Sequence, residues 1–76
     1  MKVISKLYVS DADLTSVVIP YVENQEMLKD IVDSSGKLYE VVGIGMNQHL
    51  EINGLTDLHV KGNFQDDKIK KLEYKQ

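Results

Sequence analysis

The residue types best suited to chemistry gather in one stretch: His49, Glu51, Asp57 and His59, on either side of Asn53-Gly54. Alternate residues of a strand share a face, so His49 and Glu51 form one set and Asp57 and His59 the other. Asn-Gly between apolar runs signals a hairpin, and register decides whether the two sets meet. A strict two-residue turn pairs Ile52 with Leu55 and puts Leu58 and Val60 opposite Glu51 and His49, on the polar face. A longer loop centred on Gly54 sets Leu50 opposite Leu58 and Gln48 opposite Val60, keeping the apolar side chains together. The sequence predicts that longer hairpin, with Gly62 and Phe64 carried on the core face. His49 then faces His59 and Glu51 faces Asp57, with Cβ atoms about 4.5–5.5 Å apart. Two imidazoles and two carboxylates so placed form a ligand set for a zinc-like divalent ion. A flat face with two like charges opposed and nothing to orient the ligands reads more simply as polar surface. The expectation is no metal and no other cofactor.

Other catalytic chemistry is thin. The chain has no cysteine, which removes thiol nucleophiles, thiolate zinc sites and disulfides. The histidines alone titrate near neutrality, and an acid–base enzyme needs one beside a carboxylate in a cleft that excludes water. Seventy-six residues leave little chain to enclose such a cleft. Ser34-Ser35 lies in an apparent turn and reads as a cap. Gly43-Ile44-Gly45 lacks the third glycine and following helix of a dinucleotide loop. The reading is noncatalytic.

Two stretches are suited to binding. Glu23, Glu26, Asp30 and Asp33 recur along a predicted short helix with Lys29 as the opposing charge, an acidic surface for a basic protein partner. Lys68, Lys70, Lys71 and Tyr74 combine cations with an aromatic, and Tyr8, Tyr21, Tyr39 and Phe64 are further stacking faces. That combination is the chemistry of single-stranded nucleic-acid binding. Against it stand a formal charge of -3 and the absence of arginine, the residue of bidentate phosphate and base contacts.

The elements that must position these groups are mostly strands. Lys2 to Val9 is rich in Val, Ile, Leu and Tyr and ends in the polar turn Ser10 to Asp13. Thr15 to Val22 reads as a second strand in which Pro20 belongs on an edge, at a bulge or at the end. Met27, Leu28, Ile31 and Val32 make an apolar stripe at helical spacing, predicting a helix over about residues 24–33 with Asn24 as its cap and Gly36 beyond its end. From Leu38 to Met46 the period is two, with Val41 beside Val42 suggesting burial on both faces and the glycines marking a bulge or a close approach. The tail from Gln65 carries both helical and strand spacings, and a final strand closing the first one's edge is preferred.

Length and composition set the frame. The chain is one domain, 42% apolar and 28% charged, ordinary for a globular protein. It has no apolar run of the roughly 18 residues a membrane span needs. Missing cysteines and the absence of a leader-like apolar segment suggest a cytoplasmic protein, and Lys without Arg suggests a prokaryotic or phage origin. The expected fold is mainly β, a small antiparallel sheet or partly open barrel with one short helix. The expected function is a protein-interaction module, with single-stranded nucleic-acid binding as the alternative.

Overall fold

The computed structural model describes residues 1–45 and 48–76. It is mainly β, as the alternation predicts. Six antiparallel strands form one sheet: β1 (Ser5–Val9), β2 (Leu14–Pro20), β3 (Leu28–Asp33), β4 (Leu38–Ile44), β5 (Leu55–Lys61) and β6 (Ile69–Tyr74). A 3-10 turn, Gln25–Met27, precedes β3, and a five-residue helix α1, Gln48–Ile52, joins β4 to β5. The spatial order is β1-β2-β5-β4-β3-β6. The sheet curls on itself, because the segment before β1 reaches the far strand: Met1 and Ile69 exchange hydrogen bonds, and the Val3 amide donates to Asp67. The sheet is therefore a partly open barrel, with its gap running beside β1. No helix among the described residues is long and apolar enough to cross a membrane.

Periodicity explains most of the core. In β2, Thr15, Val17 and Ile19 point inward, and in β5 Thr56, Leu58 and Val60 do the same, paired as Thr15 with Val60, Val17 with Leu58 and Ile19 with Thr56. Pro20 ends β2, one of the positions its missing amide allows. Phe64 fills the centre from the loop after β5, with Tyr39 edge-on to its ring at 4.9 Å. Thr15 fixes that loop: its hydroxyl donates to the Gly62 carbonyl and accepts from the Phe64 amide. Gly62 makes the turn with φ +88°, where a side chain would be strained.

Two β-bulges overturn the expected details of β3 and β4. Residues 24–33 are the 3-10 turn and a strand, not a helix. The stripe of Leu28 and Ile31 is real, and both are buried, but a register shift between Leu28 and Asp30 puts them on one strand face. A bulge adds one residue to one face and so mimics a helical interval. The β-branched pair Ile31-Val32, flanked by β4 and β6, favours the strand. Asn24 does not cap with its side chain; it takes a left-handed conformation, φ 55°. In β4 a register shift between Val41 and Gly43 turns Tyr39, Val41 and Ile44 toward the core and expels Val42, which is 50% exposed. Burial on both faces at Val41 and Val42 is thus not found. Met46, the last residue of the predicted alternation, lies outside the described residues.

Phe64→Ala removes the ring that packs on Tyr39 and leaves a cavity in the centre of the barrel, at a cost of about 3–5 kcal/mol. Urea unfolding followed by circular dichroism should show most of the stability gone.

Candidate functional site

The predicted hairpin does not form. Asn53-Gly54 stops a helix instead: the Asn53 side chain and amide bond to the His49 carbonyl, the Gly54 amide to the Glu51 carbonyl, and Gly54 takes φ +70°. Helix ends and hairpin turns both call for a residue at positive φ, so the dipeptide signal is shared. Leu58 accordingly faces Val17 and Ile44 rather than Leu50. His49 and Glu51 lie on α1 and are exposed, while Asp57 and His59 lie on the outer face of β5. The four-ligand juxtaposition is lost with the register. Among the described residues no three ligating side chains come close enough to hold a metal ion.

Asp57 and His59 do meet, in company the sequence did not suggest. Ser16 of β2 sits opposite His59, and its hydroxyl donates to Asp57 Oδ1 at 2.5 Å. The other oxygen, Oδ2, is 3.3 Å from His59 Nε2. Gly45 crosses directly above, donating its amide to the Asp57 carbonyl at 2.8 Å. A Cβ there would lie 2.3 Å from Oδ2, which is the close approach the glycine permits. Serine, carboxylate and imidazole are together, but in an order that does not activate the serine. A nucleophilic serine gives its proton to the imidazole, which the carboxylate orients. Here the carboxylate stands between them and accepts the hydroxyl's hydrogen bond itself. The cluster pins the segment after β4 onto β5.

The acidic stretch is not one surface. Glu23 and Glu26 are exposed in the loop and turn before β3, whereas Asp30 and Asp33 are buried in the strand. Asp30 stands opposite Glu40 of β4 and Glu73 of β6, so three carboxylates cross the outer face in a row, with Lys71 3.4 Å from Glu73. Beside them, two shallow depressions of about 420 and 290 Å³ share Glu40 and Val42. Their rims mix Lys29, Lys61 and Lys75 with Asp13 and Asp30, giving no charge of one sign. Asp33 serves the turn that follows, accepting from the Ser35 amide and hydroxyl and the Lys37 amide. The Ser35 hydroxyl bond is the main reason its pKa is lowered. Ser34 and Ser35 thus donate to carboxylates, Ser35 to Asp33 and Ser34 to Asp66. The predicted cap has no helix to act on, because a strand precedes the turn.

Lys68, Lys70, Lys71 and Tyr74 are all exposed on or beside β6. Lys2 joins them across the bridge to Lys68. Of the aromatics proposed as stacking faces, Tyr39 and Phe64 are buried in the core, and Tyr8, Tyr21 and Tyr74 are exposed.

Among the described residues the sheet has two end strands, β1 and β6, and β1 is the one with no residue buried. It is an end strand with all five residues exposed, Leu7 at 66%. Which backbone groups it leaves free follows from β2. The bonds Tyr21 amide to Gly54 and Gly62 amide to Asp13 extend the β2–β5 ladder, so odd-numbered β2 residues bond to β5. Ladders alternate sides, so Leu14, Ser16 and Val18 bond to Val9, Leu7 and Ser5. Lys6 and Tyr8 are left with amide and carbonyl pointing away from the sheet. The side chains divide the other way: Lys6 and Tyr8 lie over the core side, Ser5, Leu7 and Val9 on the outer face. The signal was present in Lys6-Leu7-Tyr8-Val9, where apolar residues fall on both parities.

No protein-family model, curated protein or solved structure matches this chain.

Asp66 gives an acid-range prediction. Its carboxylate accepts from the Ser34 hydroxyl and from the amides of Ser34, Asp67 and Lys68. The Ser34 hydroxyl chiefly, with those amides, lowers its pKa to about 2. A depressed folded-state pKa stabilises above the unfolded value, near 3.9, and the contribution is lost as pH falls toward 2. Wild type should therefore lose stability between about pH 4 and pH 2. Asp66→Asn should be less stable at neutral pH and show a shallower acid slope, as read from urea midpoints across that range.

Proposed function

We propose that the protein is a noncatalytic interaction module that accepts a strand from another polypeptide along the free edge of β1. The observation that supports this reading is the combination at that edge of unpaired backbone groups at Lys6 and Tyr8 with exposed Leu7 and Val9. Exposed sheet edges are usually shielded by charge, proline or a covering loop. This one has a single lysine within it, and that side chain is turned aside to the carbonyls of Gln65 and Asp66. Added strands gain affinity from main-chain hydrogen bonds and specificity from alternate side chains, and β1 supplies both. Glu23, Glu26, Asp30 and Asp33 contribute less, because Asp30 is buried between Glu40 and Glu73 and Asp33 is held by the turn that follows β3. Charge reversal at Asp30 would test folding rather than binding.

Single-stranded nucleic-acid binding is the second reading. It draws support from Lys2, Lys68, Lys70, Lys71 and Tyr74 at the opposite end of the sheet. Asp66, Asp67 and Glu73 offset that field, and two of the proposed stacking rings are buried.

A benzophenone amino acid in place of Leu7 should give light-dependent adducts with protein in cells making the full chain, while the same probe in place of Lys70 should not. No adduct at Leu7, or equal labelling at both positions, overturns the β1 reading. For the alternative, a labelled oligonucleotide should bind at low salt, weaken steeply as salt rises, and be lost on Lys70→Glu with Lys71→Glu. Absence of low-salt binding removes it.

A further inference from the structure

The edge of β1 is complementary to itself, and we infer that its occupant is β1 of a second copy of this chain, paired antiparallel about a twofold axis at Leu7. The inference rests on the β1 docking reading and specifies the partner. A twofold axis perpendicular to an antiparallel pair must pass between like residues, so each contact occurs twice. Centred on Leu7, the register places Lys6 opposite Tyr8 of the second copy and Ser5 opposite its Val9. Lys6 and Tyr8 are the β1 residues whose amides and carbonyls face away from β2. That one register therefore matches every free backbone group of the strand with a partner. Moving the axis to Lys6 or Tyr8 would pair outward-facing groups with themselves but leave the flanking residue without a partner.

The side chains agree with the backbone. On the outer face Leu7 meets Leu7, flanked on each side by Val9 against Ser5. This covers the most exposed large apolar residue of β1. On the other face each Lys6 lies beside the Tyr8 ring of the second copy. The Tyr8 hydroxyl donates to Asp13 Oδ1 at 2.8 Å and the Lys6 ammonium stays on the Gln65 and Asp66 carbonyls of its own copy, so it is the aliphatic stem of Lys6 that covers the ring. Each copy supplies one lysine stem and one Tyr8 ring, so this contact occurs twice across the axis. A five-residue strand buries less than the roughly 800 Å² per partner of a standard interface. The dimer is accordingly weak, forming in the micromolar range.

The cysteine-free chain makes the register directly testable. Leu7 faces its own copy in a non-hydrogen-bonded pair, whose Cα atoms lie about 4.5 Å apart, within disulfide reach. Val9 faces Ser5, and two Val9 residues lie four positions apart along the strands. Under mild oxidation Leu7→Cys should link to itself at least about tenfold faster than Val9→Cys. Mixing Val9→Cys with Ser5→Cys should restore fast linking. In sedimentation velocity wild type should pass from 8.6 kDa toward twice that mass with concentration, and Leu7→Lys should remain at the lower mass. Circular dichroism checks that this exposed position leaves the fold intact. A wild type that stays monomeric at high micromolar concentration, or equal self-linking by Leu7→Cys and Val9→Cys, overturns the inference. Benzophenone adducts at Leu7 heavier than two copies would overturn it too, while leaving the docking reading in place; no adducts at all would remove both.

Discussion

The buried hydroxyl of Thr15 holds together parts of the barrel that the strands alone would leave apart. The loop after β5 has no ladder of its own, yet it must deliver Phe64 to the centre and then reach β6. Thr15 gives it both a donor and an acceptor, at Gly62 and Phe64. Inside a core such a group is costly without partners and favourable with them. Phe64 then sets the position of Tyr39 on β4, and Lys6 of β1 lies 5.9 Å from its ring. Lys6 also reaches the Gln65 and Asp66 carbonyls of the same loop. One threonine thus connects the strands on both sides of the barrel's gap.

The same arrangement explains why β1 is ordered yet open. It is held on one side by β2 and from beneath by the Lys6 side chain, while nothing continues the sheet beyond it. At the other end, the segment before β1 covers the start of β6 through Met1 and Val3. β6 is the other end strand and is covered only at its start, so the sheet keeps two edges, of which β1 is the one whose inner side is already satisfied through Lys6.

Periodicity carried the fold class: β2 and β5 follow the alternation of their sequences. The final strand, by contrast, was preferred on edge closure, and a register shift in it sets Ile69 and Leu72 both against the core. What was not legible depends on single residues that shift parity. The bulge in β3 makes Leu28 and Ile31 share a face, so a strand carried a helical interval. At Asn53-Gly54 the local conformation was read correctly as positive φ, but the neighbouring Gln48–Ile52 formed a helix rather than a strand, and the register argument had no strand to act on. The pairing of Asp57 with His59 was within reach because both lie on one strand. Ser16 was not, because it arrives from a strand far away in sequence.

That distance has a kinetic consequence. β2 and β5, the most fully paired strands, are separated by all of β3, β4 and α1, and β3 must find β6 across a similar interval. Only the β1–β2 hairpin and the β3–β4–β5 succession pair strands that are consecutive in sequence. Loop-closure entropy must be met before the central ladder yields any stabilisation. Such high contact order places folding on the millisecond-to-second timescale of all-β domains. During that interval two preformed units wait, a hairpin and a three-stranded succession, each with an unpaired flank, and crowding between chains at that stage would compete directly with completion of the barrel.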